Sequence, residues 1–383
     1  MDKQRSLRRL TPLIMGGAGF SYQLTAAPES IPVVEIIKRA FESGIKAIDT
    51  SPYYEPSEQL IGKALNHPEI KSRYSRSSYN ILTKVGRVTA THLDYSPSAI
   101  RHSVARSLER FNTTYLDVVF AHDVELVSLE EAITAVGVLF EIAQTGRIHH
   151  VGISGYDIDV LSNIAFIARE RFGQPIDVVQ SWAQLTLQNT QLERRGFCRF
   201  RDSGVTLVCC SSPLAVGLLR SAGVPVGNLG NWHPAPEGLR VQVQRAAGWV
   251  EKRNENLALL ALRYAVGRAQ RNSSPDLLVT TICGIGSISD LEQNVSAVNR
   301  ALGLEDLNLY DRKRPNGHVS ESRAILDHES EEKDAILCQK VKEILGDWVD
   351  YDFSTKKKAL LEKKDVHSSN ENTVLEDRIS SRL

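Results

Sequence analysis

The chain has 383 residues, 42% hydrophobic and 24% charged, enough for one large domain or two average ones around a sizeable core. Lysine plus arginine and aspartate plus glutamate each total 46, so nothing in the charge balance suits a nucleic acid or an anionic membrane. No stretch approaches the roughly 18 apolar residues of a membrane span, and five cysteines without CxxC spacing (Cys198, Cys209, Cys210, Cys283 and Cys338) favour reduced thiols in the cytosol over disulfides or a metal site.

The basic N-terminus, "MDKQRSLRRLTPLIMGGAGF", has a short apolar stretch broken by Thr11, Pro12 and glycines, so neither a signal peptide nor an anchor is expected. Within it "LTPLIMGG" predicts a first strand. An amphipathic helix over 31–43 follows, with Val33, Val34, Ile36, Ile37, Ala40 and Phe41 on its stripe. Strands are then predicted at 45–49, 80–85, 116–122, 149–154, 176–182, 205–211 and 277–284, runs rich in Val, Ile, Leu and Thr. Apolar runs without alternation suit strands covered on both faces.

Between them lie helix signals. Ser96 is an N-cap with Pro97 at the first helical position, and Ile100, Val104, Leu108 and Phe111 trace the apolar face. Ser128 and Glu131 have capping-box spacing, and Gly146 is placed to end that helix. Eight strands alternating with helices predict a (β/α)8 barrel over residues 8–302. A doubly wound open sheet is the rival, but "GGAGF" lacks the GxGxxG spacing of its first turn.

Beyond 303 the pattern changes to a polar loop at 306–323 and an amphipathic helix over 331–349, with Cys338, Val341, Leu345 and Trp348 on one face. Residues 303–353 are therefore read as an extension packing on the barrel. Residues 354–383, lysine-rich and polar, are expected to be disordered.

In a barrel of this kind the C-terminal strand ends form the active-site face. Three successive strands finish on titratable groups, Asp49, Lys84 and His122, with Lys84 35 residues after Asp49 and His122 38 residues after Lys84, one strand-helix unit each. Tyr54 lies on the loop after Asp49. An unaided phenol titrates near ~10; an adjacent ammonium held by a carboxylate lowers that value and yields an acid/base for a carbonyl or alcohol oxygen. Taken singly, the histidine could be structural, the Asp–Lys pair a buried salt bridge, and Tyr53 mere packing.

Together the motifs resemble the aldo-keto reductases, from about Leu10 to Leu302: "DTSPYYEPSE" around the aspartate and tyrosine, "LTKVG", "LDVVFAHD" and "VGISGY". The resemblance implies a TIM barrel that binds NAD(P) without a Rossmann domain. By position, Tyr54 is the proton donor or acceptor, Lys84 its activator, Asp49 the partner of Lys84, and His122 the group orienting the substrate oxygen. Ser154 and Gln180 match the residues that hold the nicotinamide carboxamide. "SPLAVGLL" (212–219, with Ser212, Leu214 and Gly217) and "GIGSISDLEQN" (284–294, with Gly284, Asp290 and Asn294) match the loops over the pyrophosphate and adenosine.

Within the family the motifs look most like aldose 1-dehydrogenases of the D-arabinose and L-galactose type, which implies oxidation of a C1 hydroxyl to a lactone by a cytoplasmic, monomeric enzyme. Action on other aldehydes or ketones, a nucleotide-binding redox-sensing partner subunit and a Schiff-base lyase using Lys84 are the alternatives. Three positions depart from the family pattern: Glu55 stands where glycine follows the tyrosine, Ser211 where many members have an aromatic that stacks on nicotinamide, and Asp290 where NADP-preferring members carry arginine. The last implies a preference for NAD over NADP.

Overall fold

The computed structural model describes residues 10–224, 233–310 and 321–352, with backbone alone for 321–328. Eight parallel strands close in chain order into a barrel: β1 (Leu13–Gly16), β2 (Ala47–Asp49), β3 (Asn80–Val85), β4 (Leu116–His122), β5 (Ile148–Gly155), β6 (Val178–Trp182), β7 (Leu207–Ser211) and β8 (Leu278–Gly284). Every strand predicted from the apolar runs is present.

The absence of alternation in the sequence has its reason here. Ile48, Ile81, Val119, Ile153, Val179, Val208 and Val279 face outward onto the helices, while Ile14, Ala47, Leu82, Val118, Phe120, Val178, Leu207, Cys209 and Ile282 fill the barrel interior. Both faces are therefore dry. The interior is a packed plug. Above it, the inward series ends in Asp49 on β2, Lys84 on β3, His122 on β4, Ser154 on β5, Gln180 on β6 and Ser211 on β7, so the C-terminal mouth is lined with polar groups.

The α-helices of more than four residues are α1 (Val33–Glu42), α2 (Ser57–Leu65), α3 (Pro97–Phe111), α4 (Leu129–Gln144), α5 (Ile158–Phe172), α6 (Phe197–Asp202), α7 (Glu237–Glu251), α8 (Leu257–Asn272), α9 (Ile288–Leu302) and α10 (Glu321–Leu345). The predicted caps are in place: the Ser96 hydroxyl accepts from the Ala99 amide, the Ser128–Glu131 capping box is closed in both directions, and Gly146 follows α4 with a left-handed φ of 79°. Among the described residues, no helix is long and apolar enough to cross a membrane.

The C-terminal extension differs from the sequence expectation at both ends. The helix starts at Glu321, inside the expected polar loop, and stops at Leu345, where Gly346–Trp348 tightens into a 3-10 turn. Gly346 adopts a left-handed φ of 54°, and Trp348 packs against the same apolar cluster as Cys338, Val341 and Leu345, close to Gly238. Leu337, Cys338, Val341 and Leu345 bury against α7 and α8, as the stripe implies. Beyond the turn, the chain is strapped to the loop after β6. Gln188 donates to the carbonyls of Trp348 and Tyr351, the Thr190 amide donates to the Asp350 carboxylate at 2.7 Å, the Asp350 amide donates to the Gln188 carbonyl at 2.8 Å, and Gln184 donates to Asp352. The expected disordered segment 354–383, the barrel's proposed start at residue 8 and residues 311–320 of the polar loop lie outside the described residues.

Candidate active site

Asp49 ends β2 and Lys84 lies two positions above its register partner Leu82 on β3, so the two side chains converge over the plug. The Lys84 ammonium donates to Asp49 Oδ1 at 2.9 Å, to Asp49 Oδ2 at 2.8 Å and to the Thr50 carbonyl at 2.8 Å. All three ammonium protons are used. Burial pushes the Asp49 carboxyl up, against the pull of Lys84 and Gln180.

The loop after β2 folds back over this pair. Tyr54 donates its amide to the Ser51 carbonyl at 2.9 Å, and its ring centre stands 5.1 Å from Lys84 Nζ and 5.8 Å from the His122 ring, edge-on to the latter. His122, the last residue of β4, is held through Nδ1 by the Ser51 hydroxyl at 3.2 Å, and its carbonyl accepts from the Tyr95 phenol. The three residues predicted from strand ends and Tyr54 from the following loop therefore lie side by side.

The resting phenol behaves otherwise than the ammonium alone would dictate. Burial first, then the charges of Asp49 and Asp123, hold the Tyr54 hydroxyl well above 10, and only Arg87 pulls noticeably the other way. This corrects the expectation that Lys84 lowers it in the resting site. Burial and two carboxylates that oppose a phenolate outweigh an ammonium already paired with Asp49.

Ser154 on β5 is in register with both His122 and Gln180. Gln180 donates through Nε2 to Asp49 Oδ2 at 3.4 Å, while its buried Oε1 has no hydrogen-bond partner among the described residues. A buried, unpaired amide oxygen beside a serine hydroxyl suits a carboxamide, which both donates and accepts. The dinucleotide's nicotinamide end therefore fits the residues present.

Ser212, Leu214 and Gly217 lie on the loop after β7, which the Ser212 amide ties to the Ile282 carbonyl of β8 at 3.2 Å. Ser212, Ala215, Val216 and Gly217 have φ of 59°, 48°, 63° and 88°. Left-handed backbone at a β-branched valine is unfavourable on its own, and such strain concentrates at ligand clamps. Gly284 ends β8 with space where a Cβ would stand. Asn294 is buried on α9 and donates to Cys283 Sγ at 3.6 Å, and the Asp290 carboxylate accepts from the Gly286 amide at 3.1 Å. Asp290 thus shapes the turn that opens α9, whatever else it does.

Of the other departures, Glu55 does not add its charge to the site: Arg110 and Gln59 hold its carboxylate beside α2 and α3. The Ser211 hydroxyl donates to the Ser181 carbonyl at 3.3 Å.

The strand-end reading missed a second polar group in the mouth. Arg87, three residues beyond Lys84, pairs with Asp123, which directly follows His122; both side chains are 7% exposed. The Arg87 guanidinium stands 4.1 Å from the Tyr53 ring centre, and Tyr156 and Trp182 meet edge-on with centres 3.5 Å apart. Arg87 lies two residues past the end of β3 and Asp123 one past the end of β4, outside the strand-end positions that drew attention to Asp49 and His122.

Comparison with known proteins agrees with this architecture. The model of the Aldo/keto reductase family matches residues 12–314. The chain is 41% identical over 262 residues to D-arabinose 1-dehydrogenase of Saccharomyces cerevisiae, covering 68% of this chain and 76% of that one. It is 30% identical over 284 residues to L-galactose dehydrogenase of Arabidopsis thaliana, covering 73% and 82%. An aldo-keto reductase from Bacillus halodurans, solved in its holo form, superposes with a TM-score of 0.54 at 23% identity over 76% of this chain and 87% of that one. With a family match across most of the chain and relatives of this identity, the protein belongs to the aldo/keto reductase family of oxidoreductases.

Proposed function

We propose that this enzyme oxidises the C1 hydroxyl of an aldose of the D-arabinose or L-galactose type to the lactone, with NAD as the preferred dinucleotide and NADP as the second. The observation that carries the reading is the Lys84 ammonium, gripped by Asp49 and Thr50 with its Nζ 5.1 Å from the Tyr54 ring centre. The similarity to two aldose dehydrogenases supports the substrate class. When bound, the nicotinamide supplies the hydride acceptor. Gln180 Oε1 and the Ser154 hydroxyl would hold its carboxamide, and the loops carrying Ser212, Leu214, Gly217 and Gly284, Asp290, Asn294 would hold the rest of the dinucleotide.

The chain's own work is on the proton. Tyr54 exchanges it with the reacting oxygen, Lys84 stabilises the phenolate, Asp49 positions Lys84, and His122 orients the oxygen. The grip on Lys84 also argues against Schiff-base chemistry, since an ammonium with three acceptors is not a nucleophile.

The test is a panel of aldoses and simple aldehydes followed by NADH absorbance. D-arabinose or L-galactose should be oxidised with kcat/KM well above that for simple aldehydes in the reverse direction. Tyr54→Phe should lower kcat at least 10²–10⁴-fold, the usual worth of a positioned acid/base, while NAD binding is retained. Turnover confined to simple aldehydes or ketones would replace the aldose reading with a broader reductase.

A further inference from the structure

The four residues assigned to proton transfer leave a question of recognition. An aldose presents hydroxyls on the carbons next to the one that reacts, and each needs a donor or an acceptor when it leaves water. Asp49 and Lys84 are spent on each other and on Thr50, and Glu125 accepts from the Tyr156 amide at 2.8 Å. Of the charged groups described around the mouth, Arg87 and Asp123 are the pair not assigned to the proton-transfer set.

Their placement is specific. Asp123 Oδ1 stands 3.8 Å from His122 Nε2, beyond hydrogen-bond reach but within the span of one sugar hydroxyl. Asp123 also has left-handed backbone, φ 57° and ψ 54°, immediately after the strand ends. Such a conformation persists in a non-glycine residue when its surroundings over-determine it. Tyr53 lies beneath the Arg87 guanidinium and 6.0 Å from the His122 ring, and Trp182 stands at the end of β6, partly exposed. The result is a carboxylate and a guanidinium side by side over the Tyr53 ring, with the carboxylate 3.8 Å from the imidazole that would orient the reacting oxygen.

A buried ion pair is weak evidence for stability, because apolar residues of similar volume often do as well. A recognition role accounts for keeping it. A carboxylate accepts from two hydroxyls at once, a guanidinium donates in a fixed fork, and the aromatic faces take the sugar's C–H surface. We propose that Asp123 and Arg87 together form the hydroxyl-recognising element of the substrate pocket, reading the hydroxyl next to the reacting carbon. This rests on the proposed aldose chemistry but deepens it, since it assigns selectivity to residues outside the proton-transfer set.

The experiment compares substrates that differ by that hydroxyl. In the oxidative direction, kcat/KM is measured for an aldose and its 2-deoxy analogue; in the reductive direction, for 2-hydroxypropanal and propanal. The wild-type enzyme should favour the hydroxylated member of each pair by about 100-fold or more, the discrimination expected when a buried polar site is left unpaired. In Asp123→Asn both ratios should fall below about tenfold, through loss on the hydroxylated substrate. Should Asp123→Asn not accumulate as folded protein, Arg87→Lys, which keeps a cation on the carboxylate, carries the same comparison, since an ammonium cannot reproduce the guanidinium fork. Ratios that stay at the wild-type value while all rates fall together would overturn the proposal and leave the pair a structural support of His122. Failure of the wild type to oxidise any aldose would strike the proposed function alone, because the ratio of 2-hydroxypropanal to propanal still decides the role of the pair.

Discussion

At the scale of single residues, the direction of the Tyr54 shift fixes how activity should follow pH. Burial, Asp49 and Asp123 raise the phenol well above its ordinary 10. Reduction needs the protonated phenol and should persist into alkaline solution, failing only as pH passes that raised value; oxidation needs the phenolate and should rise over the same range. Asp123→Asn removes a negative charge that opposes phenolate, so both limbs should move to lower pH. Lys84→Met removes the nearby cation, so they should move to higher pH. Profiles of kcat in both directions check the two signs, and limbs that do not move would assign them to another group. Asp290 raises a different question, because its carboxylate closes the turn before α9 and, on the proposed NAD preference, would also repel a 2′-phosphate. Asp290→Asn separates the effects, keeping an acceptor for Gly286 while removing the charge. We expect kcat/KM with NADP to rise about tenfold, or about 1.4 kcal/mol, with a smaller change for NAD. A ratio that stays within about twofold would leave Asp290 only its role in the turn.

At the scale of elements, the close approach of α2 and α3 rests on one position. A Cβ at Gly62 would lie 1.9 Å from the Arg110 carbonyl oxygen, against backbone that has little room to retreat. Alanine is the better helix former by about 1 kcal/mol, but forcing the helices apart typically costs about 1–3 kcal/mol or more. Gly62→Ala should therefore destabilise the protein despite its helix propensity, and a denaturant titration measures it. The same region shows what the sequence made legible. Strand ends and caps were readable because they are local: continuous apolar runs, Pro97 after Ser96, Glu131 three residues after Ser128. Asp49, Lys84 and His122 followed from one further rule, that equal strand-helix spacing puts strand ends on one rim. The Arg87–Asp123 pair escaped because it joins two loops 36 residues apart, and neither "VGR" nor "HDV" announces a partner. The start of α10 escaped because most of its early residues are polar.

At the scale of the whole molecule, the barrel and the extension share one apolar seam. Leu337, Cys338, Val341 and Leu345 cover Leu239, Val243, Ala246 and Leu257. Ending the chain near residue 305 would expose that surface, and burying each such large side chain is worth about 1.5–3 kcal/mol. The shortened protein should aggregate or melt well below the full chain in a thermal scan, whereas ending it after 353 should leave folding and turnover unchanged; equal behaviour of the two truncations would refute the burial argument. The strap that follows the seam carries a consequence for motion. The amide of Thr190 is protected by Asp350, and the amide of Asp350 by the Gln188 carbonyl, so neither proton can exchange with solvent without parting the same contact. The two amides should exchange deuterium as one unit, at a free energy below that of global unfolding. Their common rate is a clock for detachment of this C-terminal strap from the rim of the active site, read without any substrate.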